Sequence, residues 1–183
     1  SVAVAAPAIE WFLPRWSPGY YKVENYAAEL SAFTAHGADG KELAVEQPAA
    51  NRWRIDCAGA REIRLDYVLH CDRGSVTQNQ IAAEYAVLCG PATFVGIVGD
   101  STRPAELEIA PPEGWDVAVA LPVAEGTSNG AARHRAASYD LLLDAPIVTG
   151  KLRRTPFDVA GQPHELVDFG NYERFDAATA VAA

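Results

Sequence analysis

The side chains whose types and spacing come nearest to recognisable chemistry are those of "HELVD", His164 to Asp168. The zinc-protease pattern H-E-x-x-H sets two histidines on one helical face to hold the metal, with the glutamate as base. Here Asp168 stands where the second histidine belongs. Gly161-Gln162-Pro163 before the run and Gly170 after it leave too little room for a stable helix. His164, Leu166 and Asp168 alternate with Glu165, Val167 and Phe169, which predicts a strand that separates the would-be ligands. No metal site is expected there.

Other candidates fail in similar ways. His36, His70 and His134 are scattered singly and read as surface or strand-end residues. No G-x-S-x-G elbow exists, and "DRGSVTQ" around Ser75 lacks the second glycine. "GIVGDS" (Gly96 to Ser101) lacks both the P-loop lysine and the third glycine of a dinucleotide fingerprint. Cys57, Cys71 and Cys89 have no C-x-x-C spacing and cannot all pair within the chain, although one bridge plus a free thiol stays open. Two stretches remain: "WFLPRWSPGYY" (Trp11 to Tyr21) and "GSVTQNQIAAEYAVLCGPATFVG" (Gly74 to Gly96). The first reads either as an aromatic platform or as a strand and turn. The second reads as a loop feeding an edge strand.

The elements that must position these groups are mostly strands. "RWRIDC" puts Trp53, Ile55 and Cys57 on one face, and "REIRLDYVLH" puts Ile63, Leu65, Tyr67 and Leu69 inward. The "AGA" between them predicts an antiparallel hairpin. "AELEIA" and "WDVAVAL" flank "PPEG" as strand, turn, strand, and further short strands recur in "RHRAASY", "PIVTGKL", "TPFDVAG" and "HELVDFG". Helical expectations are limited to "YDLLLDAP" up to Pro146, one turn within "YYKVENYAAEL", and the tail "YERFDAATAVAA". In "WSPGYY", Pro18 and Gly19 suit a type II turn, and Pro14 predicts an edge or bulge. Trp11 and Leu13 are expected on one face and Phe12 on the other. The expected fold class is mostly β, an antiparallel β-sandwich or large curved sheet with a few short helical turns.

Composition narrows the partners. The 183 residues carry a net charge of −9 and 49 % hydrophobic residues, ordinary for a globular domain but wrong for a nucleic-acid partner. The basic run "KLRRTP" is short and followed at once by Asp158, as a solvated strand end would be. No apolar run approaches a membrane span, and "SVAVAAPA" lacks the basic region of a signal peptide.

The two outstanding stretches carry a family resemblance. "LPRWSPGYYKVENYA" resembles the L-P-x-W-T-P-G-S-Y-x-x-x-x-Y-A motif of the glycyl aminopeptidase family, PDZ-containing gluzincin metallopeptidases. "NRWRI", with Trp53, is similar to their N-x-W-x-V strand, and "EYAVLCGPATF", with Gly90 and Pro91, to their A-F-F-N-G-x-A-x-F segment. "IRLDYVLHC" and "PPEGWDVAVAL" resemble further strands of the family. "YDLLLDAPIVTG", with Pro146, and "FDVAGQPHELVDFG", with Gly161, Pro163 and His164, complete the series in family order. Departures include Ser17 for Thr, Tyr20 for Ser, Cys89-Gly90 for Asn-Gly, and "TQNQIAAE" for an acidic run.

The resemblance covers only the family's non-catalytic N-terminal β-domain, here residues 1–172, with residues 173–183 as a tail opening the helix toward a catalytic domain. It implies no catalytic residue and no metal ligand in this chain. Zinc, the H-E-x-x-H helix and peptide hydrolysis from the amino end belong to that catalytic domain, which is the implied partner. One wall of a peptide cleft is expected from Thr77, Gln78, Asn79, Gln80, Glu84 and Tyr85. Relatives commonly carry a signal peptide, which favours a periplasmic over a cytoplasmic setting. The rival reading is a free-standing β-sandwich that binds carbohydrate or peptide through Trp11, Trp16, Tyr20 and Tyr21, which requires those rings to share one exposed face.

Overall fold

Alternating burial writes most of the architecture in the computed structural model, which describes residues 1–124, 132–170 and 176–181. Strands β1 (Val2–Ala3) and β2 (Ala8–Phe12) are followed by a 3-10 turn at Tyr26–Glu29 and by β3 (Leu30–Gly37). Next come β4 (Val45–Ala49), β5 (Arg52–Asp56) and β6 (Glu62–Leu69). β7 (Gln80–Ile81), β8 (Tyr85–Leu88), the single-turn α1 (Gly90–Thr93) and β9 (Gly96–Ile97) form the middle of the chain. β10 (Ala105–Ile109), β11 (Asp116–Val119) and β12 (Ala132–Ala136) precede α2 (Tyr139–Leu143) and β13 (Ile147–Gly150). β14 (Arg153–Val159), β15 (Gln162–Asp168) and α3 (Ala177–Val181) end it.

These strands pair antiparallel in small sheets rather than one large curved one: β1-β6-β3, β4-β5-β2-β9, β11-β13-β8-β7, and the ribbons β10-β12 and β14-β15. The first two sheets face each other. Trp11 and Ile55 from one interleave with Ala35 and Ile63 from the other, around Leu43 and Cys57. Leu13, Tyr26, Trp53 and Ala92 close one end, with the Phe33 ring stacked 4.6 Å from Trp53. A further cluster of Leu107, Ala136, Tyr139, Leu142 and Ile147 packs the β10-β12 ribbon and α2 against β13.

Local expectations hold where they concern single strands and turns. Trp53, Ile55 and Cys57 are buried in alternation, and the Tyr20 N–H donates to the Ser17 carbonyl at 3.0 Å around Gly19, whose φ is +80°. Trp11 joins the sandwich core, Leu13 the end cluster, and Phe12 turns the other way toward Tyr139. α2 forms as expected, with the Ser138 hydroxyl accepting from the Leu141 N–H at 3.2 Å, and ends before Pro146. "HELVD" lies in strand β15. Among the described residues no helix is long and apolar enough to cross a membrane.

Pairing corrects other expectations. β5 and β6 are joined by a tight turn at Ala58-Gly59, with the Ala60 N–H donating to Cys57 O at 2.7 Å, but they do not pair. Both ladder edges of β5 are taken by β2 and β4, so the turn hands the chain from one sheet to the other. β10 and β11 likewise diverge after "PPEG", to β12 and β13. β2 is an interior strand, not an edge. Pro14 falls just past its end, where Leu13 N–H donates to Asn51 O at 3.0 Å and no ladder donor is missed. β8 is interior, between β13 and β7, whereas β7, which the polar loop feeds, is the edge strand expected of that stretch. The 172/173 boundary lies outside the described residues. Beyond it Asp176 caps α3, its carboxylate accepting from Ala178 N–H at 3.0 Å.

Candidate functional site

The polar run Thr77 to Gln80 divides by alternation. Asn79 is buried, and its carbonyl accepts from Cys89 N–H at 2.8 Å and from the Thr93 hydroxyl at 3.1 Å, while its amide donates to Ala92 O at 3.1 Å. It therefore fastens the β7 approach to the α1 turn. Thr77 is also buried, near the Tyr26 hydroxyl. Gln78 and Gln80 are half-buried. Gln78 Nε2 donates to the Glu24 carboxylate at 2.8 Å, and Gln80 lies over Gly74.

Glu84 is exposed at the tip of the β7-β8 hairpin, where it meets Lys151 Nζ at 2.9 Å; that ammonium holds its carboxyl below the usual carboxylate range. Tyr85 packs its ring 5.0 Å from Phe169. Gly150 passes so close that a Cβ there would lie 2.4 Å from Glu84 O. Four of the six expected wall residues thus reach the surface of one hairpin and its approach, and two serve beneath it. Glu24 escaped the sequence reading, because no spacing pattern links it to a residue 54 positions away.

The remaining motif residues are architectural or exposed. Gly90 admits no Cβ, which would lie 2.2 Å from Leu143 O, and Pro91 is buried at the start of α1. Gly161 turns β14 into β15, and Pro163 and His164 follow, with the His164 ring 5.4 Å from Phe157. The four-ring platform is not formed. Trp11 is 9 % exposed and in the core, and Tyr20 is half-buried under Lys22, while Trp16 at 56 % and Tyr21 at 95 % are exposed.

Among the described residues the histidines meet separate partners. His36 lies 3.3 Å from Asp66, His70 3.0 Å from the Ser31 hydroxyl, and His134 3.1 Å from Leu121 O. Glu165 pairs with Arg154, and Asp168 holds Arg153 at 2.9 Å. Among the described residues no three His, Cys, Asp or Glu side chains stand together as a metal-binding group. All three cysteines are free, and burial pushes their thiols up. A cleft of about 1140 Å³ opens between β1, β9 and β10 over Trp11, Leu65, Phe94 and Leu107. Its rim arginines already face carboxylates, Arg103 on Asp100 at 2.6 Å and Arg133 on Glu108 at 2.9 Å.

Fold and site together define a mostly β domain of several antiparallel sheets, in which the described residues assemble no metal-binding group. The chain belongs to the peptidase M61 N-terminal domain family, whose model matches residues 1–151. It is similar to an aminopeptidase N family protein from Idiomarina loihiensis, at 27 % identity and a TM-score of 0.83 over 93 % of this chain. The match takes in only 29 % of that protein's length. No curated protein matches. Family and neighbour support reading the chain as a non-catalytic N-terminal domain of a peptidase.

Proposed function

We propose that the chain serves a glycyl aminopeptidase-like zinc metallopeptidase as its N-terminal β-domain, residues 1–172, scaffolding the catalytic unit and walling one side of its peptide cleft. Zinc belongs to that catalytic unit. No residue set described here fits the metal, and no step of hydrolysis runs through this chain. The wall consists of Gln78, Gln80, Glu84 and Tyr85. The observation that carries it is the division of the Thr77–Gln80 run, with Asn79 pinned inward while Gln78, held by Glu24, and Gln80 stay partly exposed. An amide so held accepts from and donates to an extended peptide backbone, and the Glu24 carboxylate behind Gln78 fixes its rotamer.

The test uses the full-length protein and aminoacyl-anilide or dipeptide substrates. Intact protein should release amino-terminal residues. Gln78→Ala and Gln80→Ala should each lower kcat/KM about tenfold, mainly through KM, because ~1.4 kcal/mol corresponds to a factor of ten. Unchanged KM in both variants would remove the wall. Hydrolysis by residues 1–183 alone would remove the scaffold assignment.

A further inference from the structure

Exposed large apolar side chains gather on two neighbouring loops. Trp16 stands just before the Pro18-Gly19 turn and Tyr21 and Val23 just after it, with Val76 and Ile81 on the approach to and end of β7. The loops are joined at two points. Gln78 donates to Glu24 at 2.8 Å, and Tyr26, bonded to Ser17 at 2.8 Å, lies against Thr77. Val23 and Val76 flank these ties in sequence. Tyr26 is itself in the core, so the outward side chains stand on a rigid base. Glu24 N–H donating to Arg15 O at 2.6 Å and the Gly19 turn order the first loop further. An ordered loop that holds Trp and Tyr in water loses little entropy on association, and such residues dominate interface energetics. The two loops carry three cations, Arg15, Lys22 and Arg73, against two anions, Glu24 and Asp72, so little net charge lies there in a chain of net charge −9. Interface cores are poor in net charge.

We propose that the face formed by Trp16, Tyr21, Val23 and Val76, with Ile81 at its rim, seats the catalytic unit of the same polypeptide. This rests on the function proposed above. Two observations select that occupant. The Idiomarina protein continues for more than two thirds of its length outside the region shared with this chain. Here, the end of β15 is led to the same side: the Phe169 ring packs on Tyr85, and Gly170 lies against that ring. Tyr85 opens β8, whose partner β7 ends at Ile81. Gly170 therefore lies by the β7-β8 hairpin tip, next to Ile81 at the rim of the apolar face. The same docking sets Gln78 and Gln80 at the seam between the two units.

Oxidative footprinting of the full-length protein tests this. Trp16 and Tyr21 should label at least about tenfold more slowly than fully exposed rings, independent of protein concentration. A Tyr21→Asp/Val76→Asp variant should melt in two separated transitions and lose peptidase activity while keeping its β-sheet circular dichroism; Val159→Asp, on the far hairpin, should change neither. If the full-length protein is active but Tyr21 labels as a free tyrosine, the interface is wrong and the function stands. Protection that disappears on dilution would show a second copy on this face, again overturning the interface alone. A full-length protein without peptidase activity overturns both.

Discussion

At the scale of single residues, neighbours in sequence do opposite things. Asn79 makes hydrogen bonds to Ala92, Cys89 and Thr93 from a buried position, and the next residue, Gln80, is partly exposed with its amide over Gly74. Removing the Asn79 amide strands the half-buried Cys89 N–H, at a cost of about 1–3 kcal/mol. Asn79→Ala should therefore lower the urea midpoint clearly with an unchanged m-value, whereas Gln80→Ala should stay within about 0.5 kcal/mol. Equal effects would mean that the two amides are not divided as described. Gly90 allows a sharper test. A Cβ there meets backbone, Leu143 O at 2.2 Å, rather than a side chain that can swing away. Gly90→Ala should cost about 1–3 kcal/mol or more by overpacking, read as a fall in thermal midpoint. The division of the Thr77–Gln80 run was not accessible from the sequence, because the run is a turn and bend before β7 begins at Gln80, where strand alternation has no hold. Nor was the Glu24–Gln78 contact, because it depends on two loops meeting in space.

At the scale of elements, the sequence specified strands and turns better than their partners. Ala58-Gly59 and Ala160-Gly161 are the same local device, two successive positive-φ residues preceded by an aspartate that accepts a turn N–H. One closes the true hairpin β14-β15, while the other sends β5 and β6 into facing sheets. Turn chemistry fixes a reversal of direction; competition for ladder edges decides pairing, and that competition is non-local. The β14-β15 hairpin is tied to β11 by Arg154, which reaches the Asp116 carboxylate at 2.7 Å and also Glu165 and Val117 O. Arg154 holds the Asp116 carboxyl below its usual range. Its folded value thus lies below the unfolded one of about 3.9, so the tie contributes fully above roughly pH 4 and fades as pH falls through the lower folded value. Both groups are partly exposed, which limits the tie to under about 1 kcal/mol. Protection factors against hydrogen exchange in β14 and β15, taken relative to the intrinsic rate at each pH, should therefore fall at the acid end in the native chain. Arg154→Ala should show the lower protection already at neutral pH and lose that acid step; an unaltered pH profile would refute the tie.

At the scale of the whole molecule, the sandwich core and the α2 cluster must be held to each other, because the sheets that carry them share no ladder. Tyr139 is the chief weld. Its ring meets Phe12 edge-on at 5.8 Å, its hydroxyl donates to Phe94 O at 2.8 Å, and it fills the space that Gly96 leaves open, where a Cβ would lie 2.5 Å from the ring. Burial raises its phenol well above the ordinary value, so it stays neutral and keeps that proton to donate. Phe12 and Gly96 sit on paired strands of the sandwich, β2 and β9, so one side chain grips both. Deleting the ring by Tyr139→Ala should cost about 3–5 kcal/mol, as large aromatic truncations do. The more telling outcome is cooperativity. If Tyr139 couples the two halves, the variant should unfold with a reduced m-value or in two steps, β10 to β13 losing exchange protection before β2 and β5. Tyr139→Phe keeps the ring and loses only the bond to Phe94, so it should cost roughly 1–2 kcal/mol with the single transition preserved. A Tyr139→Ala protein that still melted as one unit would place the weld elsewhere along the sheet junction.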